Sequence, residues 1–102
     1  MIDHAVDRLK ERAGIPKRAA ARHLGRVITE GMPTGAAVGQ VRDYLDRREL
    51  RGRPAILGPG VLIYILTPER DDVITVLGVP AEIRKAARAQ LARWRKGTIA
   101  AE

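Results

Sequence analysis

The sequence predicts an α+β domain: helices at both ends of the chain and one small antiparallel sheet between them. Two observations lead there. Apolar residues recur at helical spacing through the first half of the chain and again after Pro80, and between these stretches VLIYIL, residues 61–66, is apolar at every position. A strand apolar throughout is one covered on both faces, so VLIYIL is the expected central strand. Helices are expected on one of its faces, with the other left for a partner.

Each element follows from local signals. The spacing predicts a first helix over Asp3–Ala13, with Val6 and Leu9 on one face and Gly14 placed to end it. Pro16 suits the first turn of a second helix, in which Ala20, Leu24, Val27 and Ile28 trace an apolar stripe until Gly31. Thr34 is the expected N-cap of a third helix over residues 35–50. That helix would bury Val38, Val41 and Leu45 and carry the charges of Asp46–Arg51 at its end. Pro54 disfavours helix in the residue before it, which marks the change to strands.

Ala55–Leu57 then reads as a short strand, Gly58-Pro59-Gly60 as a turn, Val61–Leu66 as the central strand, TPERDD as a polar loop and Val73–Leu77 as a third strand. Pro80 and Ala81 open a last, basic helix. Its apolar side holds Ile83, Ala87, Leu91 and Trp94, its other sides Arg84, Lys85, Arg88, Arg95 and Lys96, and Gly97 closes it. The expectation is therefore three N-terminal helices, about three strands and a C-terminal helix, forming one domain over residues 1–97 with a frayed tail at 98–102.

Composition narrows the function. The 102 residues suffice for one domain with a real core, and 45% of them are hydrophobic. Aromatic residues make up only 3%, with no Phe, so the core must be aliphatic and platforms for stacking bases are scarce. The absence of cysteine excludes disulfides, thiolate zinc sites and cysteine nucleophiles, and fits a cytoplasmic protein. The N-terminal stretch MIDHAVDRLK lacks the apolar run of a signal peptide, and no segment is apolar enough for a membrane span. A formal net charge of +7 favours polyanionic partners: RNA or the ribosome first, an acidic protein second.

Site motifs are few. Gly58-Pro59-Gly60 has neither the Lys and Ser/Thr of a P-loop nor the spacing of a dinucleotide fingerprint, and no cofactor is expected. His4 and His23 lie on separate helices without metal-ligand spacing, and His23 reads as a helix-surface residue. Glu69, Asp71 and Asp72 read as solvated loop acids, so no metal site is expected. What remains is arginine. Arg47, Arg48, Arg51 and Arg53 crowd the junction before the sheet, and Arg84, Lys85 and Arg88 form a second group on the last helix. A further set, Lys10, Arg12, Lys17, Arg18, Arg22 and Arg26, belongs to the first two helices. Arg grips phosphate through paired N–H donors, so the first two groups, seven residues in all, are the expected nucleic-acid contacts.

The segment GQVRDYLD, residues 39–46, followed by VLIYIL and then DVITVLGVP, resembles short phage-encoded proteins grouped with the barnase, colicin-ribonuclease and RelE-like nuclease superfamily. Gly39, Val41, Tyr44, Leu45, Tyr64, Ile74, Thr75, Val76, Leu77 and Pro80 carry the likeness, and Ile15-Pro16-Lys17 extends it. The resemblance implies an α+β sheet fold, a mobile-element setting and RNA as ligand. It makes Thr34, Tyr44, Tyr64 and Thr75 the polar side chains to consider for catalysis. Where the family carries a histidine before the glycine and a basic residue beside it, this chain has Thr34 and Val38. The expected function is thus a basic RNA-binding protein related to RelE-like ribonucleases, active or degenerate. Two alternatives stay open: a winged-helix-like DNA-binding regulator and a phage-type factor that binds a host protein.

Overall fold

The computed structural model describes residues 3–100. Within them the chain runs α1 (Asp3–Ala13), α2 (Ala20–Glu30), β1 (Met32–Pro33), α3 (Gly39–Arg48), β2 (Ala55–Gly58), β3 (Leu62–Leu66), β4 (Val73–Gly78) and α4 (Ala81–Ala100), with short 3-10 turns at Lys17–Ala19 and Thr34–Ala36. The four strands form one antiparallel meander in the order β1-β2-β3-β4. The α+β class is as expected. The sheet gains a fourth strand, the two-residue β1, in which Met32 pairs with Leu57 and Pro33 with Ile56. Two residues carry no periodicity, and a proline is at home on an edge strand where its missing N–H faces away from the ladder.

Both faces of the sheet are covered, which corrects the expectation of an open face for a partner. On one face Ile56, Leu62, Tyr64, Leu66, Val73 and Val76 pack with Ala5 and Leu9 of α1 and Val27 of α2. On the other, Met32, Ala55, Leu57, Ile63 and Ile65 pack with Val41 and Leu45 of α3 and Ala87 and Leu91 of α4. Alternation along β3 sends Leu62, Tyr64 and Leu66 to the first face and Ile63 and Ile65 to the second. All five are buried, as the unbroken apolar run predicts.

A bulge keeps β4 in step. Ile65 pairs with Thr75 but Leu66 with Val73, so one extra residue is accommodated and Val73 and Val76, three positions apart, both reach the α1/α2 face.

The entry into α3 differs from expectation. Thr34 is buried in a 3-10 turn and its hydroxyl donates to the Ala55 carbonyl at 3.1 Å. The helix starts at Gly39, whose φ of 61° lies in the left-handed region and interrupts any helix running from Thr34. Ahead of it Ala37 and Val38 are extended, so Ala37 is buried and Val38 faces solvent. On α2 the buried stripe is Ala20, His23 and Val27, while Ile28 is exposed. The helix is therefore turned from the expected stripe, and His23, expected on the surface, lies inside. α4 continues past Gly97 to Ala100, and residues 101–102 of the expected tail lie outside the described residues.

Candidate nucleic-acid interface

The seven cations expected to meet nucleic acid are all exposed: Arg47 and Arg48 in the last turn of α3, Arg51 and Arg53 in the link to β2, and Arg84, Lys85 and Arg88 in α4. Four arginines elsewhere are tied to carboxylates: Arg8 to Glu11, Arg26 and Arg95 to Glu30, and Arg42 to Asp46. None of the seven has an acid within 4 Å among the described residues. They are exposed to solvent and form no ion pair among the described residues.

Tyr44 organises the α3 pair. The Arg48 guanidinium sits 4.7 Å from the Tyr44 ring centre and that of Arg47 5.9 Å, both within cation–π range. Arg47 Nε also donates to the Asp43 carbonyl at 3.4 Å. The tyrosine thus holds two cations in place. Beside them, Gln40, Asp43, Tyr44 and Arg47 face Pro80, Glu82 and Ile83 across a groove of about 360 Å³ between α3 and the start of α4.

A second cleft, of about 440 Å³, opens where β3 begins and β4 ends. Arg12 comes to it from α1, on one face of the sheet, and Arg84 and Arg88 from α4, on the other; Glu11, Gly60, Val61, Leu62, Gly78 and Val79 complete the wall. Arg12 lies over Gly78, where a β-carbon would stand 3.2 Å from its Nη1. Arg84 Nη2 donates to the Val79 carbonyl at 3.0 Å, which fixes the guanidinium and leaves its other donors available. Gly60 has φ 80° and Val61 φ 56°. The glycine adopts that conformation freely, whereas a β-branched residue there is strained by about 1–2 kcal/mol. The turn is held in this shape by the Val61 N–H bonded to the Gly58 carbonyl at 3.1 Å.

The four catalytic candidates do not gather. Thr34 is buried with its hydroxyl engaged by Ala55, and Tyr44 lies beneath the arginines of α3. Thr75 pairs with Ile65 in β4. Tyr64 is fully buried on the α1/α2 side of the sheet. Its hydroxyl donates to the Pro59 carbonyl at 2.9 Å and lies 2.8 Å from His23 Nε2. A hydroxyl has one proton, so with Pro59 as its acceptor it receives a hydrogen bond from His23, which carries its proton on Nε2. Burial, and secondarily the nearby Arg26, hold the His23 pKa below its ordinary 6.5, while burial pushes the Tyr64 hydroxyl far up. The pair is a neutral link from α2 through the sheet to the Gly58-Pro59-Gly60 turn. Gly58 completes it, because a β-carbon there would sit 2.9 Å from the Tyr64 ring.

Sequence reasoning placed Arg12 in a diffuse basic set and gave no sign that it joins Arg84 and Arg88. It also missed Gln90, whose side chain receives the Val38 N–H at 3.0 Å and donates to the Val38 carbonyl at 3.2 Å, tying α4 to the start of α3. The spacing of Ala20, His23 and Val27 on α2 was the available signal for the buried histidine. No protein-family model, curated protein or solved structure matches the chain.

Proposed function

We propose that this protein binds RNA, the ligand that its resemblance to RelE-like ribonucleases implies, through the exposed arginines of α3, the α3–β2 link and α4. The observation that carries this reading is the absence of acid partners around Arg47, Arg48, Arg51, Arg53, Arg84, Lys85 and Arg88 among the described residues. Like charges left unpaired on a fold destabilise it, and a polyanion relieves that repulsion while releasing its own counterions. With both sheet faces covered, RNA meets the helical layer and the sheet end, not the sheet surface.

The geometry supports binding better than cleavage. Cutting RNA takes a base near the 2′-hydroxyl and an acid near the leaving oxygen. Tyr64 and Thr34 are buried and already hydrogen-bonded, and His23 is committed to Tyr64. The winged-helix alternative draws less support, because α2 and α3 lie on opposite faces of the sheet and do not stand together as a paired reading unit.

The test is retardation of single-stranded RNA and of duplex DNA over a range of salt. Replacing Arg47, Arg48, Arg51 and Arg53 by Gln is expected to weaken RNA binding and flatten its salt dependence, by about 0.7 in logarithmic slope for each phosphate no longer neutralised. Unchanged affinity and slope in that folded variant would remove the cluster from the interface. Intact RNA throughout supports a binder, and discrete fragments that vanish in the variant would make the protein a nuclease.

A further inference from the structure

We propose that the cleft of Arg12, Arg84 and Arg88 is a discrete site for a phosphomonoester, the terminal phosphate of a nucleic acid or a free phosphate. The proposal rests on the RNA reading only for the source of that phosphate.

Convergence is the first ground. The three arginines come from helices on opposite faces of the sheet and meet at one sheet end, around a volume well above that of a phosphate group. None has an acid within 4 Å among the described residues, and Arg12 and Arg88 make no hydrogen bond there either. Arg84 spends one donor on the Val79 carbonyl and is held by it. Guanidinium forks match the oxygens of phosphate, and three of them can engage a tetrahedral anion from several sides.

Charge selects the kind of phosphate. The wall holds three guanidiniums and one carboxylate, Glu11, a net of two positive charges, and Glu11 is itself engaged by Arg8 at 3.3 Å. A phosphomonoester carries about −1.5 to −2 near pH 7, whereas an internal phosphodiester carries a single charge. The terminal group therefore fits the balance, and an internal one leaves positive charge unmatched.

Shape agrees. Gly60 puts no side chain into the cleft, so an anion can approach the backbone there, and Gly78 leaves the space that Arg12 Nη1 takes. Val61, in a left-handed conformation costly for its type, lies on the same wall. Backbone strain of this kind collects where a fold serves a ligand.

The experiment uses the full chain and the double variant Arg12→Gln/Arg88→Gln, which breaks no hydrogen bond among the described residues. Sodium phosphate is titrated against sodium chloride of equal ionic strength while the amide signals of Gly60 and Gly78 are followed by NMR. Single-stranded RNAs of one sequence, with a terminal phosphate or with hydroxyl ends only, are then compared for affinity. Saturable phosphate shifts at Gly60 and Gly78 are expected, together with a preference for the phosphorylated RNA of about tenfold or more, the worth of one hydrogen bond to a charged group. Both should disappear in the variant. Equal binding of the two RNAs with no phosphate shift at the cleft would overturn the site while leaving the RNA reading standing. Cleft shifts without binding of either RNA would support the site with a free phosphate as its ligand and refute the RNA reading.

Discussion

The two faces of the sheet solve the same burial problem with different chemistry. Towards α3 and α4 the strands present Met32, Ala55, Leu57, Ile63 and Ile65, an aliphatic surface whose neighbour Trp94 keeps its indole N–H buried without a partner among the described residues. Towards α1 and α2 the largest buried side chain is Tyr64, and its hydroxyl, His23 and the Pro59 carbonyl satisfy one another. On the α3/α4 face the buried strand side chains are all apolar, and the polar links around it run to backbone, from Thr34 to Ala55 and between Gln90 and Val38. The other adds a polar linkage that fixes how α2 and the Gly58-Pro59-Gly60 turn sit over the sheet. Apolar packing tolerates rearrangement, whereas a buried hydrogen-bonded chain has one arrangement that satisfies it.

The comparison can be broken most sharply at β3. Ile63→Asp places a carboxylate between Leu57 and Leu77 with no donor to meet it, and is expected to unfold the domain, a loss on the scale of its entire stability, about 5–15 kcal/mol. A folded variant by circular dichroism would show that this face accommodates charge. Tyr64→Phe keeps the ring but strands His23 Nε2–H and the Pro59 carbonyl. A loss of about 1–3 kcal/mol is expected from denaturant midpoints, and a variant as stable as the parent would show the linkage to be idle.

The third prediction concerns pH and belongs to the α1/α2 face alone. His23 has a folded pKa below its unfolded value of 6.5, so between the two the unfolded chain binds more protons. The stability it contributes is complete above pH 6.5 and declines as the pH falls from there towards the folded pKa. His23→Gln, which supplies an N–H without titrating, should flatten the thermal midpoint against pH in that window. A slope that survives the change would place its origin elsewhere. The smallest effect is expected at Gln90→Ala on the opposite layer. It removes two exposed bonds to Val38 and should cost about 0.5–1.5 kcal/mol, with faster amide exchange at the start of α3 as its local sign.

How much of this was legible in the sequence depended on the range of the signal. VLIYIL announced a doubly covered strand because every position must be apolar there, and the Pro54 and Pro80 boundaries held because proline acts locally. β1 went unseen because two residues owe their strand character to β2 and not to themselves. The start of α3 was misplaced because a threonine suited to capping was recruited by Ala55, and the left-handed Gly39 reset the chain. The burial of His23 escaped notice because its partner lies 41 positions away. The seven basic residues of the candidate interface were named from the clustering of charge in the sequence, and all seven are exposed. That Arg12 would join Arg84 and Arg88 could not be read there, since it depends on which helix covers which face.

That last feature bears on biosynthesis. Strands β2, β3 and β4 pair across short links, whereas β1 reaches β2 across α3 and the packing of α1 on β4 spans most of the chain. A nascent chain that has emerged only as far as Pro80 has every strand needed for the meander but one of the three cleft arginines. The cleft end of the molecule draws on the last segment of the chain, since Arg84 and Arg88 of α4 follow every strand. Ala87 and Leu91 of the same helix belong to the α3/α4 core, so the segment that completes that core is also the one that brings Arg84 and Arg88 to Arg12.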